Sequence, residues 1–144
     1  MVRYQHRQWA VAILASLTIA GLGCLTGGML APPEARWVLL LVPLFLALAV
    51  LFSSLTVEVT KESLRWWFGL GFWRKRVALA DIEKVEVTET RFIEGWGIHL
   101  TGRGWLYNVS GFGAVLVTQK DGKRFMLGSD EPDMLAEALN AALR

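Results

Sequence analysis

The chain has one cysteine, Cys24, among its 144 residues. A disulfide within the chain is therefore excluded, and so is a zinc site built on cysteine; the scarcity fits a reducing compartment. Histidine is nearly as rare, with only His6 and His99. His6 falls in the tail ahead of the first apolar run. His99 stands alone in a candidate strand, where a surface or satisfied barrel residue is the ordinary reading. No nucleophile lies in a pattern with a base, and no metal-ligand spacing is present. Gly69-Leu70-Gly71 and Gly95-Trp96-Gly97 lack the following helix that a phosphate-cradling loop needs. The sequence points to no enzymatic activity and no cofactor. Net charge is only +2, which gives no pull toward nucleic acid.

Charge is also missing from one long stretch. Between Trp9 and Leu55 the only charged residues are Glu34 and Arg36. Trp9 to Leu30 is uncharged and, as a helix, spans about 33 Å; Trp37 to Leu55 is uncharged and spans about 28 Å. The linker Ala31-Pro32-Pro33-Glu34-Ala35-Arg36 ends the first helix at its prolines. Two transmembrane helices, about 9–30 and 37–55, are predicted as an antiparallel hairpin, with residues 1–55 forming the tail and hairpin and 56–144 a separate domain. Trp9 and Trp37 begin the two segments, where indoles favour the membrane interface, and Pro43 is expected to bend the second helix. A competing reading makes the first segment a signal peptide with Arg3 and Arg7 as its basic start. Against it, Gly21 stands three positions before Cys24, where a lipoprotein cleavage site has an aliphatic residue, and the apolar run is long for a signal peptide.

Arg3 and Arg7 precede the first helix, while Lys61 and Arg65 follow the second. By the positive-inside rule both termini are expected in the cytoplasm. Along the first helix the small residues Ala12, Ser16, Ala20, Cys24 and Gly28 recur every four positions, and Gly23 and Gly27 add a GxxxG. Small ridges allow close helix approach. A helix-packing face of Ala12, Ser16, Ala20, Gly23 and Gly27 is expected to meet the second helix or another copy; the bland alternative is that Gly and Ala are common in membrane helices.

From Thr56 onward acidic and basic residues are equal in number. Short alternating segments appear: Leu55–Thr60, Ser63–Phe68, Trp73–Leu79, Lys84–Thr90, Gly97–Thr101, Trp105–Val109, Ala114–Lys120 and Lys123–Leu127. Lys61-Glu62, Gly69-Leu70-Gly71 and Asp121-Gly122 mark turns. The period then changes. Asp130 is a candidate N-cap, and Met134, Leu135, Ala138, Leu139 and Ala142 form one apolar face of a terminal helix. The expected fold class is α+β: a membrane hairpin, a small antiparallel sheet or barrel, and a capping helix.

Three stretches carry a resemblance. They are Ile82–Val87; Gly95-Trp96-Gly97-Ile98 with Gly104 to Gly111; and Ala114–Lys120 with Asp121 to Gly128 and Asp130-Glu131-Pro132. Together these are similar to the bacterial PH-like domain proteins, over about residues 55–143. The resemblance implies about seven strands in two roughly orthogonal sheets, a C-terminal capping helix, a preceding helix pair and no established enzymatic activity. Members often carry an arginine after Trp-Gly-Ile, where this chain has His99, which puts any role of that arginine here in doubt.

The stretch from Trp66 to Arg76 holds the most suggestive chemistry. Leu70, Phe72 and Trp73 beside Arg74, Lys75 and Arg76 would let apolar side chains enter a bilayer interface while cations meet anionic lipid. The alternative has Trp66 or Trp67 and Phe72 filling the core, with Arg74 and Arg76 on one strand face and Lys75 on the other. Expected partners are the lipid bilayer and a protein partner or second copy, at the inner face of a bacterial cytoplasmic membrane. The expected role is a membrane-anchored binding or scaffold module; the alternative is an accessory subunit of a transport or envelope-maintenance complex.

Overall fold

The computed structural model describes residues 2–144. The residues ahead of the first helix are not a tail. Val2–Trp9 forms strand β1, and only Ala10 separates it from helix α1, Val11–Leu30. The second apolar segment starts as a 3-10 helix, Pro33–Leu40, and becomes α-helical as α2, Leu41–Leu51. The change of winding at Leu41 has a clear cause. It places Pro43 in the first turn of α2, where a missing N–H costs no internal hydrogen bond. The slacker rise of the 3-10 part lengthens Pro33–Leu51 to about 32 Å, against about 30 Å for α1. Both segments are apolar and exposed almost throughout, and both are long enough to cross a membrane. The hydroxyls of Ser16, Thr18 and Thr26 donate to carbonyls four residues back, which satisfies them without water.

The second helix ends earlier than residue 55, because β2 begins at Ser54. Strands β2 (Ser54–Thr60), β3 (Ser63–Phe68) and β4 (Phe72–Ala78) follow as a meander. β1 adds to its edge, antiparallel to β2, so the first sheet has the order β1-β2-β3-β4. The second sheet uses β5 (Ile82–Glu89), β6 (Gly97–Thr101), β7 (Gly104–Asn108), β8 (Gly113–Gln119) and β9 (Arg124–Gly128), in the order β5-β8-β9-β7-β6. β7 and β9 pair in parallel, which no reading of hairpins alone anticipates. The nine strands among the described residues exceed the expected seven. Setting aside the β6–β7 hairpin, inserted between β5 and β8, leaves one four-stranded and one three-stranded antiparallel meander.

Inward residues of both sheets and of helix α3, Pro132–Leu143, share one core. Val57, Val59, Leu64, Trp66 and Phe68 meet Val115, Val117, Phe125 and Leu127, with Leu135 and Leu139 closing one side. Fully burying each such side chain contributes roughly 1.5–3 kcal/mol. Trp66 stacks on Phe125 at 4.9 Å and meets Tyr107 edge-on. The buried face of α3 is Leu135, Ala136 and Leu139; Met134, expected on it, points outward. Asp130 is not the cap of this helix. The N-cap position is Glu131, with no side-chain cap bond. Asp130 instead takes a 2.6 Å hydrogen bond with His6 Nε2, and Glu131 lies 3.4 Å from His6 Nδ1.

Candidate functional site

Two ends of the sheet domain can be told apart by what they touch. The Ala10 amide donates to the Ser53 carbonyl at 3.0 Å, and Gly69 N–H donates to Ser54 O. The β3–β4 turn therefore lies against the end of α2. Gly69 has a φ of +50°, and a Cβ there would collide with the Val50 and Leu51 carbonyls. The β2–β3 turn lies at the opposite end, where Leu79 N–H meets Glu62 O and Lys120 N–H meets Asp81 O. β1 runs toward the helices and β2 away from them, so the chain's start and the sheet domain share one side of any bilayer the hairpin spans.

At the helix end, Leu70 is 84% exposed at the tip of the β3–β4 turn. Phe72 is not in the core; its ring stands edge-on to Phe52 at 5.7 Å, just past α2. Trp73 holds a φ of +50°, unusual for a bulky residue, and its ring is half exposed with the Lys75 ammonium 5.7 Å from the centroid. Along β4 the side chains alternate. Arg76 sits opposite Arg65 on the outer face of the first sheet, and Lys75 sits opposite Trp66 on the other. Arg74 Nε donates to Gly71 O. The outer face forms a shallow basin of about 420 Å³ lined by Trp67, Arg65, Arg74 and Arg76, with Lys75 of the edge strand also reaching it and Glu58 as the one acid. Arg7 extends this basic face toward the helices; its guanidinium lies 4.6 Å from the Trp9 ring, and its Nε donates to Ser54 Oγ.

The opposite side of β4 opens on a cleft of about 310 Å³ between the two sheets, walled by Trp66, Trp73, Trp105 and Tyr107, with Lys75 and Arg124 at its margin. Trp66 Nε1 is buried there without a hydrogen-bond partner among the described residues. Burial holds the Tyr107 phenol above its ordinary pKa. Tyr4, on the core side of β1, is pushed up to about 12, first by burial and then by the negative charges of Glu131 and Asp130.

The small residues of α1 divide. Gly28 packs directly under Leu39 and Val38, and a Cβ at Gly21 would touch Phe45. Gly23 and Gly27 face open space. The helix pair thus closes along Gly21 and Gly28, and the GxxxG ridge turns away from α2. Ala12 and Ala20 are half-buried and Ser16 is exposed, with Cys24 half-buried between the two faces. His99 contacts the Trp96 carbonyl and is otherwise exposed.

The sequence reading missed one surface. Phe92 and Ile93, in a single 3-10 turn after β5, are 83% and 90% exposed. Their signal was an apolar pair between Arg91 and Glu94, outside any alternation. No protein family, curated protein or solved structure matches the chain.

Proposed function

We propose that the chain is a membrane-anchored binding or scaffold module, PH-like in architecture, working at the inner face of a bacterial cytoplasmic membrane. One observation carries this reading: β1 runs into α1, and α2 into β2, with the Ala10–Ser53 hydrogen bond joining the two junctions. The domain is not on a tether. It stands on the hairpin, with the Leu70 tip and the Arg7, Arg74 and Arg76 face held beside the bilayer. Cations at that height attract anionic lipid by about 1 kcal/mol each. The cationic flanks Arg3, Arg7, Lys61 and Arg65 favour the cytoplasmic side. The PH-like reading is supported by the two antiparallel meanders and the terminal helix that remain once the β6–β7 hairpin is set aside. The aromatic cleft with Lys75 and Arg124 suits a ligand that combines negative charge with an apolar body.

A second reading, an accessory subunit of a transport or envelope-maintenance complex, is favoured by Gly23 and Gly27. Their ridge has no partner within the described residues and fits a helix of another chain. The test for both is affinity purification of the full chain from membranes in mild detergent, with co-purifying protein and lipid identified. A specific partner or second copy, with anionic lipid enriched, is expected. Monomer alone in lipid of bulk composition counts against both readings.

A further inference from the structure

The loop between β5 and β6 spends polar interactions on keeping apolar side chains in the open. Glu94 Oε2 accepts from the Arg91 amide at 2.6 Å and from Arg103 at 3.1 Å. Arg103 also donates to Thr88 Oγ1 and to Glu89 O. Trp96 Nε1 donates to Gly111 O, and Thr90 N–H to Phe112 O. Glu94 is the anchor of this web, with little of its side chain exposed. The loop is therefore stiff, yet Phe92 and Ile93 project into solvent from it, with the Phe112 ring 6.5 Å from Phe92. A stiff loop that displays two large apolar side chains has been built to meet an apolar phase.

Position identifies that phase. Phe112 lies two residues beyond Ser110, whose carbonyl accepts from Gln8 Nε2 at 3.0 Å. Gln8 precedes Trp9 and the start of α1. Further from the membrane along β1, His6 meets Asp130 and Arg3 meets Ala141 O. The β1 contacts thus order the neighbouring loops by height, and the loop of Ser110 and Phe112 is the one at the helix end. Strand β5 likewise leaves the far end at Ile82, beside the Asp81–Lys120 contact, and reaches the helix end at Thr90.

We infer that Phe92, Ile93 and Phe112 form a second membrane contact, inserting into the same leaflet interface as the Leu70 tip. The helix hairpin then stands between two apolar prongs, with Arg91 exposed beside one and Arg74 beside the other. The domain is held at a fixed tilt on the bilayer, not merely at a fixed point. This rests on the reading of the hairpin as membrane-spanning.

The test uses the full chain in a Cys24→Ser background, reconstituted into vesicles of phosphatidylethanolamine and phosphatidylglycerol. Single cysteines are placed by Ile93→Cys, Phe92→Cys, Leu44→Cys and Lys61→Cys, each carrying an environment-sensitive fluorophore. The expected result is a blue-shifted label at 93 and at 92, quenched by shallow spin-labelled lipid at least twofold more than the label at 61, and unchanged on dilution of protein in lipid. A water-like label at 93 and 92, with the label at 44 deeply quenched, overturns the second contact and leaves the spanning reading intact. A label at 93 that is shielded only at high protein density, and not quenched by lipid, means a second copy covers the loop and also overturns it. A water-like label at 44 removes the spanning reading and this inference with it.

Discussion

The Ala10 amide donates a 3.0 Å hydrogen bond to the Ser53 carbonyl, pinning the residue before α1 to the residue before β2. The antiparallel β1–β2 ladder, with Trp9 opposite Ser54, thus runs right up to the helix pair. Motion of the sheets relative to the helix pair has to bend that ladder, and the surfaces at its helix end inherit its orientation.

Gly69 is where the sheet touches the helix end, and its replacement separates two effects. Gly69→Ala adds backbone strain at φ +50° and drives a methyl into the Val50 and Leu51 carbonyls. Gly122→Ala adds strain alone, since nothing among the described residues lies within 4 Å of its Cβ. Strain of this kind costs about 1–3 kcal/mol. Thermal unfolding of the full chain in detergent is expected to show both variants destabilised, Gly69→Ala by the larger amount. Equal losses would mean that the close approach to α2 contributes nothing.

Tyr4 makes stability depend on alkaline pH. Its phenol ionises near 10 in an unfolded chain and is pushed up to about 12 in the fold. Below about pH 10 both states keep the proton and stability is unaffected. Between about 10 and 12 the unfolded chain loses its proton first, so stability falls as pH rises. Tyr4→Phe removes this contribution. Denaturant titrations across that window are expected to show a shallower decline for the variant; an unchanged slope would assign the decline to other groups.

Much of this architecture can be read from residues, and the failures have physical reasons. The eight strands from β2 to β9 follow from alternation and from turns at Lys61-Glu62, Gly69 to Gly71 and Asp121-Gly122. β1 was illegible because its core-side residues are Tyr4, His6 and Gln8, which are polar at one end and give no hydrophobic alternation. Its outward Arg3 and Arg7 look like a membrane flank, which hides a strand in plain sight. Asp130 looked like a cap because the sequence cannot show that His6, 124 residues away, competes for it. The parallel β7–β9 pair depends on contacts between distant segments, and no local period reports it. Of the candidate site, the Trp66–Arg76 stretch was legible as a mixture of rings and cations, but which rings stay outside was settled by Phe52 receiving Phe72.

The outer cations of the first sheet are expected to select anionic lipid. Arg74→Gln and Arg76→Gln each remove about 1 kcal/mol of attraction, or about a fivefold preference. Glu58→Gln removes the acid that faces Arg65 at 3.7 Å and is expected to raise the preference. Mass spectrometry of lipid co-purified with the full chain reads the ratio of phosphatidylglycerol to phosphatidylethanolamine. A ratio insensitive to all three changes would show that these cations face water rather than headgroups.

Gly27 and Gly28 are neighbours with opposite surroundings, and they separate the inner helix contact from an outer one. Gly28→Leu forces a large side chain into Leu39 and Val38, and overpacking of this kind costs about 1–3 kcal/mol or more. The hairpin is expected to loosen, lowering the unfolding temperature. A Cβ at Gly27 meets nothing within 4 Å among the described residues, so Gly27→Leu is expected to leave that temperature unchanged. If the Gly23 and Gly27 ridge docks against another helix, Gly27→Leu, alone or with Ala20→Leu, abolishes the co-purified partner or second copy while the protein itself stays folded. Retention of the complex by a stable Gly27→Leu protein would remove the ridge from the interface and leave the sheet domain as the surface that carries the partner.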